Sequence, residues 1–371
     1  TNKNDYKPLI KELEKNKGKT SIKFREFMSS KAFGLTAYYD AMIANWFNNK
    51  LNIRFPERKT IFGRKLSNLR YGENPHQESS IYVSDYDDKK LGLKQLQGKD
   101  LSYNNYNDIF ACLKLMKTLP KNKGVAIIKH SNPSGVSIEN NHLRSYISAF
   151  NCDPVSAFGG VVGCNFKINL KIAKEIIKKY YEIIIGNGFD RAALKLFNNK
   201  KNLRLIDSSK MSLNKSQIIQ SGINSFLMQE NDNLVFKRKN FKIVSKKKPS
   251  KKLMEQIIFS FNVCRSVKSN AIVITQNNRT LGIGSGQPSR IDSCAIAIKK
   301  MNNFQKKNYK DELIAASDAF FPFVDGLEKL VQSGVSVVVQ PSGSKNDNEI
   351  IKFANRTDTI LVFSKTRHFN H

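Results

Sequence analysis

GVAIIKHSNPSG, residues 124–135, is the stretch from which the rest of the chain is read. Val125 to Ile128 form a short β-branched run, the pattern of a buried strand. The run delivers Lys129 and His130 to its end, and Asn132-Pro133-Ser134-Gly135 carries the residues that turn a chain. Reacting groups collect at strand ends in α/β sheets. A lysine beside a histidine suits proton transfer with charge stabilisation: imidazole titrates near neutrality, and an ammonium stabilises a developing oxyanion. The plainer reading is a solvated lysine and a structural histidine, and the dipeptide alone leaves both open.

Outward from this strand the chain alternates. NDIFACLKLMKTL (107–119) and LKIAKEIIKKYYEI (170–183) are amphipathic helical patterns. SNAIVITQ (269–276), TLGIGSG (280–286) and SVVVQPSG (336–343) read as strands, SRIDSCAIAIKKM (289–301) and DGLEKLVQSG (325–334) as helices. Such alternation predicts layered α/β structure. Before residue 50 the pattern is helical, with Phe24, Phe27, Met28, Phe33, Ala37, Met42, Trp46 and Phe47 near a 3.6-residue period. Residues 51–69 read as a connector broken by Pro56 and Gly63, and KKKPSKK (246–252) as an exposed turn or linker. A faint repeat pairs residues 125–135 with 335–343, each a strand running into Pro-Ser-Gly. DPVSAFGG (153–160) also echoes DAFFPFVDG (318–326), so two similar α/β halves are expected.

With 371 residues, 40% of them hydrophobic, the chain builds a large core and is not disordered. It opens on Thr1 with a polar stretch rather than an apolar leader, which reads as a fragment or processed chain. No run reaches the roughly 18 apolar residues of a membrane helix. Cys112, Cys152, Cys164, Cys264 and Cys294 form no CxxC pair. They read as small apolar fillers in a reducing cytoplasm. The net charge is +31, from lysines spread along the whole chain. Compositional drift accounts for that spread better than nucleic-acid binding does, and the field also favours phosphate and polyglutamate substrates.

Three further segments carry chemistry. In RYGENPHQ (70–77), Arg70 suits a phosphate and Tyr71 a heterocycle. TLGIGSGQPSRID (280–292) has GxGxG rather than GxGxxG spacing, which argues against a dinucleotide fold. Its glycines let backbone approach a ligand, and Arg290 adds positive charge at a helix start. ASDAFFPFVDG (316–326) sets Phe320, Phe321, Pro322 and Phe323 beside Asp325, a wall suited to a flat pterin-like ring, or plain core packing. No Walker A, HExxH, nucleophile elbow or zinc-deaminase signature occurs.

Together KAFGLTAYYDAMIANWF, LRYGENPHQ, LSYNNYND, IKHSNPSGV, CDPVSAFGG, SNAIV, GIGSGQPSR, SDAFFPFVDG, QPSGS and the terminal RHFN resemble one family, in family order from about residue 20 to the end. It is the bifunctional purine-biosynthesis family that joins aminoimidazole carboxamide ribonucleotide (AICAR) formyltransferase to inosine monophosphate (IMP) cyclohydrolase. The resemblance implies an α/β fold of duplicated cytidine-deaminase-like three-layer subdomains without zinc, preceded by a short helical segment. Residues 1–55 would be the helical remnant of the cyclohydrolase domain, 56–245 the first formyltransferase subdomain and 246–371 the second. The cyclohydrolase activity would then belong to a longer parent and be absent here. A cytoplasmic homodimer with shared active sites is implied.

By the same resemblance, 10-formyltetrahydrofolate donates its formyl group to the 5-amino group of AICAR. Lys129, His130 and Asn270 match the catalytic positions. Arg70, Tyr71, Ser102, Gly159, Glu182, Arg290, Arg367 and Phe369 match the nucleotide-binding positions. Phe158, Ile291, Phe320, Pro322 and Asp325 fall where the folate lies, and a potassium ion would sit near Val263, Ser269 and Asp318. His130 is expected as general base, Lys129 as oxyanion stabiliser or proton source for the leaving N10, and Asn270 as the group orienting the amine or formyl oxygen. The competing readings are a basic nucleic-acid-binding module and a catalytically idle scaffold.

Overall fold

Apolar β-branched runs make the strands and amphipathic runs the helices in the computed structural model, which describes residues 2–84, 91–211, 217–305 and 311–371. The chain divides into two units. One holds the described residues up to Leu69 and those from Ser79 to Leu91; the other holds Arg70–Glu78 and Gly92–His371.

The first unit contains α1 (Tyr6–Lys15), α2 (Ile22–Lys50) and an antiparallel pair, β1 (Arg64–Asn68) with β2 (Ser80–Val83). The helical period expected from residue 21 is a single 29-residue helix, started by Ser21, whose hydroxyl accepts from the Phe24 N–H at 3.2 Å. Its apolar residues are not core: Phe27, Phe33, Trp46 and Phe47 are exposed, and only Ala41 is buried. The connector expected over 51–69 contains β1, a short exposed strand.

In the second unit, β3 (Lys94–Gln97), α3 (Tyr103–Met116), β4 (Gly124–Lys129), β5 (Asn132–Ile138), α4 (His142–Cys152), α5 (Pro154–Ala157), β6 (Val161–Cys164), α6 (Leu170–Ile176), β7 (Ile183–Gly186), α7 (Arg191–Phe197) and β8 (Arg204–Asp207) come first. A hairpin of β9 (Gln217–Gly222) and β10 (Ser225–Glu230) follows. Then come β11 (Phe241–Ile243), α8 (Lys251–Cys264), β12 (Ile272–Gln276), β13 (Arg279–Gly284), α9 (Arg290–Phe304), β14 (Leu313–Ser317), α10 (Val324–Gln332), β15 (Val335–Pro341), α11 (Asp347–Arg356) and β16 (Ile360–Ser364).

Twelve of these strands form one mixed sheet, in the order β11-β16-β15-β14-β12-β13-β5-β4-β6-β7-β8-β3. From the central pair outward the two sides run alike. A hairpin (β5-β4 or β13-β12) meets an antiparallel neighbour (β6 or β14), then two parallel strands, then an antiparallel edge. Thr280 ties the halves, its hydroxyl accepting from the Val136 N–H at 2.9 Å.

Strand alternation distributes the core. Ala126 and Ile128 pack with Ile109, Cys112 and Met116 of α3 on one face, while Val125 and Ile127 pack with Ile172 and Ala173 of α6 on the other. In the second half Val273 faces Ile257 and Phe261 of α8, and Ile272 and Ile274 face Ala297 and Leu327 of α9 and α10. Helices thus cover both faces, which is why these strands read as continuous apolar runs. All five cysteines are buried free thiols, and burial pushes Cys152 and Cys294 up to about 12, which suits fillers and not nucleophiles.

Two expectations need correction. Asn132–Gly135 does not turn the chain: the turn is His130-Ser131, and Asn132 already pairs with Lys129 at the start of β5. A register shift between Ile127 and Ile128 lies opposite Pro133, which has no N–H for the ladder. The expected repeat also pairs the wrong strands. β15 lies parallel between β14 and β16, whereas β4 is antiparallel to both neighbours and occupies the place that β12 takes in the other half. Likewise 153–160 leads into β6 while 318–326 leaves β14. Pro-Ser-Gly is shared local chemistry and does not fix which strands correspond.

The close approach of β5 to α4 has a measurable consequence. A Cβ on Gly135 would lie 1.8 Å from the Ala149 carbonyl oxygen, and one on Gly284 of β13 1.9 Å from that of Ser293 in α9. Backbone cannot yield as a side-chain tip does, so Gly135→Ala is expected to cost at least about 3 kcal/mol in chemical denaturation. A loss under about 1 kcal/mol would show that the helix shifts freely.

Candidate active site

β4 ends on a two-residue turn with both central residues at positive φ, His130 at 50° and Ser131 at 59°. This is the mirror-image turn that matches strand twist. It leaves His130 exposed and Lys129 half-buried at the strand end. The Lys129 ammonium donates to the Phe158 carbonyl at 3.0 Å. Gly159, at φ 69°, keeps this contact open, because a Cβ there would lie 3.1 Å from Lys129 Nζ. Phe158 is itself exposed, its ring 5.1 Å from that of Tyr180.

The neighbouring loops bring up the nucleotide candidates of the first half. The Gly159 N–H donates to the Tyr180 carbonyl and the Glu182 N–H to that of Gly160. Glu182 accepts from Asn105 Nδ2 at 3.2 Å and lies 3.9 Å from the guanidinium of Arg204. Ser102 caps α3, its hydroxyl accepting from the Asn105 N–H at 3.3 Å. Arg70 stacks 4.6 Å over the Tyr71 ring and bonds its hydroxyl. An open cavity of about 650 Å³ runs past Arg70, Lys99, Tyr180, Glu182 and Arg204, with lysines 178, 179, 200 and 201 on its wall. Such a basin is an electropositive seat for a phosphorylated ligand, with one carboxylate to accept hydroxyl hydrogen bonds.

Asn270, Ser269, Arg290 and Asp318 form a second cluster. Arg290 opens α9 and is buried. It donates to Asn270 Oδ1 at 2.6 Å, to Ser317 Oγ at 2.8 Å and to Asp318. Asn270 donates onward to the Gln287 and Pro288 carbonyls, both at 2.9 Å. Asp318, fully buried, also accepts from Ser269 Oγ, while its own carbonyl accepts from the His368 N–H. Arg367 lies 4.8 Å over the Phe369 ring on the C-terminal tail, where both are exposed.

Ile291 follows Arg290 and is half-buried. Phe320 and Pro322 lie on the connection from β14 into α10, and Asp325 in the first turn of α10. Phe320 is half-buried, Pro322 and Asp325 are exposed, and Ala319 and Phe321 are core. Val263 is buried on α8, its carbonyl accepting from the Ser266 N–H.

Among the described residues no hydrogen bond joins Lys129 or His130 to Asn270 or Arg290. The bridge lies two residues past His130 and two before Asn270: Asn132 Oδ1 accepts from the Lys268 N–H at 2.9 Å.

Two residues at the site escaped the sequence reading. Asp108 of α3 accepts from the Ser131 N–H at 2.6 Å. Burial pushes its carboxyl above the ordinary range, opposed by that hydrogen bond and by the charges of His130 and Lys129. Arg204 is buried, holds the Lys99 and Asp100 carbonyls, and has its pKa depressed by burial first and by Arg70 next. One signal was available for Asp108: a carboxylate next to Ile109, on a helix whose buried positions from Ile109 onward are apolar.

A family profile described as AICARFT/IMPCHase bienzyme matches residues 1–300. Among similar proteins, each named bifunctional purine biosynthesis protein PurH, that of Bradyrhizobium diazoefficiens is 38% identical over 379 residues, covering 99% of this chain and 71% of the relative. That of Mesorhizobium japonicum is 40% identical over 383 residues, with 100% and 71% covered. That of Persephonella marina is 39% identical over 377 residues, with 99% and 72% covered. With the profile spanning most of the chain and relatives matching nearly all of it, this chain belongs to the AICARFT/IMPCHase bienzyme family.

Proposed function

We propose that this chain transfers the formyl group of 10-formyltetrahydrofolate to the 5-amino group of AICAR in purine biosynthesis. The observation that carries the reading is the Lys129–His130 dipeptide on its turn, Lys129 anchored at Phe158, in a half whose basic cavity includes Arg70 and Glu182. The amine of AICAR is a weak nucleophile because its lone pair is delocalised. Attack therefore needs close positioning and removal of a proton. His130 takes the amine proton. Lys129 stabilises the oxyanion or supplies a proton toward the leaving N10 of the folate. Asn270, held by Arg290, orients the amine or the formyl oxygen.

Arg70, Tyr71, Ser102, Gly159, Glu182, Arg290, Arg367 and Phe369 are assigned to the nucleotide. Phe158, Ile291, Phe320, Pro322 and Asp325 are assigned to the folate. A homodimer that shares its active sites would account for candidates that sit in two separate clusters. The matching element order of the two sheet halves supports duplicated cytidine-deaminase-like subdomains after a helical segment at 1–55. The proposed bounds are 56–245 and 246–371, with β11 (Phe241–Ile243) reaching across to pair with β16. Asp318, Ser269 and the Val263 carbonyl offer hard oxygens of the kind a potassium ion takes, and would supply it a fixed structural seat. A cytoplasmic setting fits the pathway; among the described residues no helix is long and apolar enough to cross a membrane. The relatives are purine-biosynthesis proteins, and no observation favours the nucleic-acid reading over drift in charge.

Initial rates with AICAR varied test the assignment. Arg367→Ala is expected to raise KM for AICAR at least about tenfold with kcat within about threefold, the signature of lost uniform binding. An unchanged KM takes Arg367 away from the phosphate. A parent chain with no AICAR-dependent transfer removes the formyl-transfer reading itself.

A further inference from the structure

The turn that carries His130 has a counterpart, and the comparison points to a residue with no assigned role. In the second half, β12 and β13 are joined by Asn277-Asn278 at φ 50° and 59°, the same two angles as His130-Ser131. Asparagine tolerates the left-handed region because its short side chain bonds locally, whereas other residues are strained there. The first half therefore spends stability to place an imidazole on this turn. Each turn is gripped through a backbone N–H by the helix that precedes its hairpin, at its second residue in the first half and its first residue in the second. Asp108 lies five residues past the first residue of α3 and accepts from the Ser131 N–H at 2.6 Å. Gln256 lies five residues past the first residue of α8 and accepts from the Asn277 N–H at 3.1 Å. Both helices span 14 residues and start on a serine cap, Ser102 and Ser250.

We propose that Asp108 is a positioning residue for the Lys129–His130 dipeptide: its carboxylate grips the Ser131 N–H and holds the strained turn in the conformation that presents the imidazole. The inference rests on the reading of Lys129 and His130 given above. The difference between the halves supports it. A neutral amide suffices for the Asn-Asn turn, which is comfortable at positive φ. The His-Ser turn is held by a carboxylate, whose charge-assisted bond is about twice as strong as a neutral one. That carboxylate is kept although burial disfavours its charge.

The test is steady-state kinetics on the full chain with Asp108→Ala, Asp108→Asn and, beside them, His130→Ala, each checked for folding by thermal unfolding. Asp108→Ala is expected to lower kcat about 10- to 100-fold with KM for AICAR within about twofold, since a displacement near 1 Å costs that much. Asp108→Asn keeps an acceptor for Ser131 and is expected to recover kcat to within about fivefold of the parent. Asp108→Ala within about twofold of the parent, or Asp108→Asn as low as Asp108→Ala, would overturn the proposal.

Should Asp108→Ala fail to fold, the substitution is made in a Ser131→Gly background, where glycine takes the positive φ without strain. There it should cost less than about threefold in kcat, and a loss of about tenfold or more would refute the strained-turn account. If His130→Ala keeps its kcat, the reading of the site fails; if His130→Ala is inactive and Asp108→Ala normal, only this inference fails.

Discussion

His130→Ala is expected to lower kcat by roughly 10²–10⁴ while leaving KM for AICAR nearly unchanged. Of the titratable groups on the β4–β5 turn, the imidazole is the one whose ordinary pKa lies near neutrality, as proton removal from an aromatic amine requires. Its exposed position means that little packing is lost on truncation. The turn itself could be blamed for a loss, so His130→Asn is the sharper variant. Asparagine stands at the corresponding turn position, Asn277, with the same φ, and has no basic nitrogen. It should fold as the parent does and be as inactive as the alanine variant. Near-normal kcat in His130→Asn removes the imidazole from proton transfer.

Arg290→Ala is expected to cost about 3–5 kcal/mol of stability, the range for leaving one partner of a buried ion pair behind. Asp318 is fully buried and would be left with Ser269 as its remaining side-chain donor, while Ser317 and Asn270 would each lose a charged donor. Removing both charges differs from removing one. Arg290→Met with Asp318→Leu should recover most of the loss, because a well-packed apolar pair avoids the desolvation of two ions. Activity should not return with it, since Asn270 Oδ1 would still lack its charged donor. Chemical denaturation separates the cases, and a cost under about 1 kcal/mol for Arg290→Ala would mean that water or a shifted side chain replaces the arginine.

Much of the fold was legible because its signals are local. Val125–Ile128 and Ala271–Thr275 are buried on both faces, so their apolar runs announce strands without help from tertiary contacts. The turn was misplaced by two residues because Pro133, Ser134 and Gly135 look like a turn, while His130 and Ser131 do not favour positive φ and are held there by tertiary contact. The correspondence between halves was invisible for a related reason. It lies in equivalent roles (Ser102 with Ser250, Asp108 with Gln256, Gly135 with Gly282) and not in matching strings. At the site, Lys129 and His130 were read from their strand end and Arg290 from its helix start, while Asn270 was found through a family motif. Asp108 and Arg204 were missed because a lone charge in a helix or at the head of a strand ordinarily reads as solvated. The apolar period of α2 predicted its helix correctly but says nothing of what its exposed Phe33 and Trp46 face.

The most direct measurement is formyl transfer by the purified chain supplied with 10-formyltetrahydrofolate and AICAR, followed as tetrahydrofolate release and formyl-AICAR formation. The account predicts stoichiometric turnover that saturates in both substrates and is lost in His130→Asn. No transfer by the folded parent chain, or transfer that persists undiminished in His130→Asn, would contradict it.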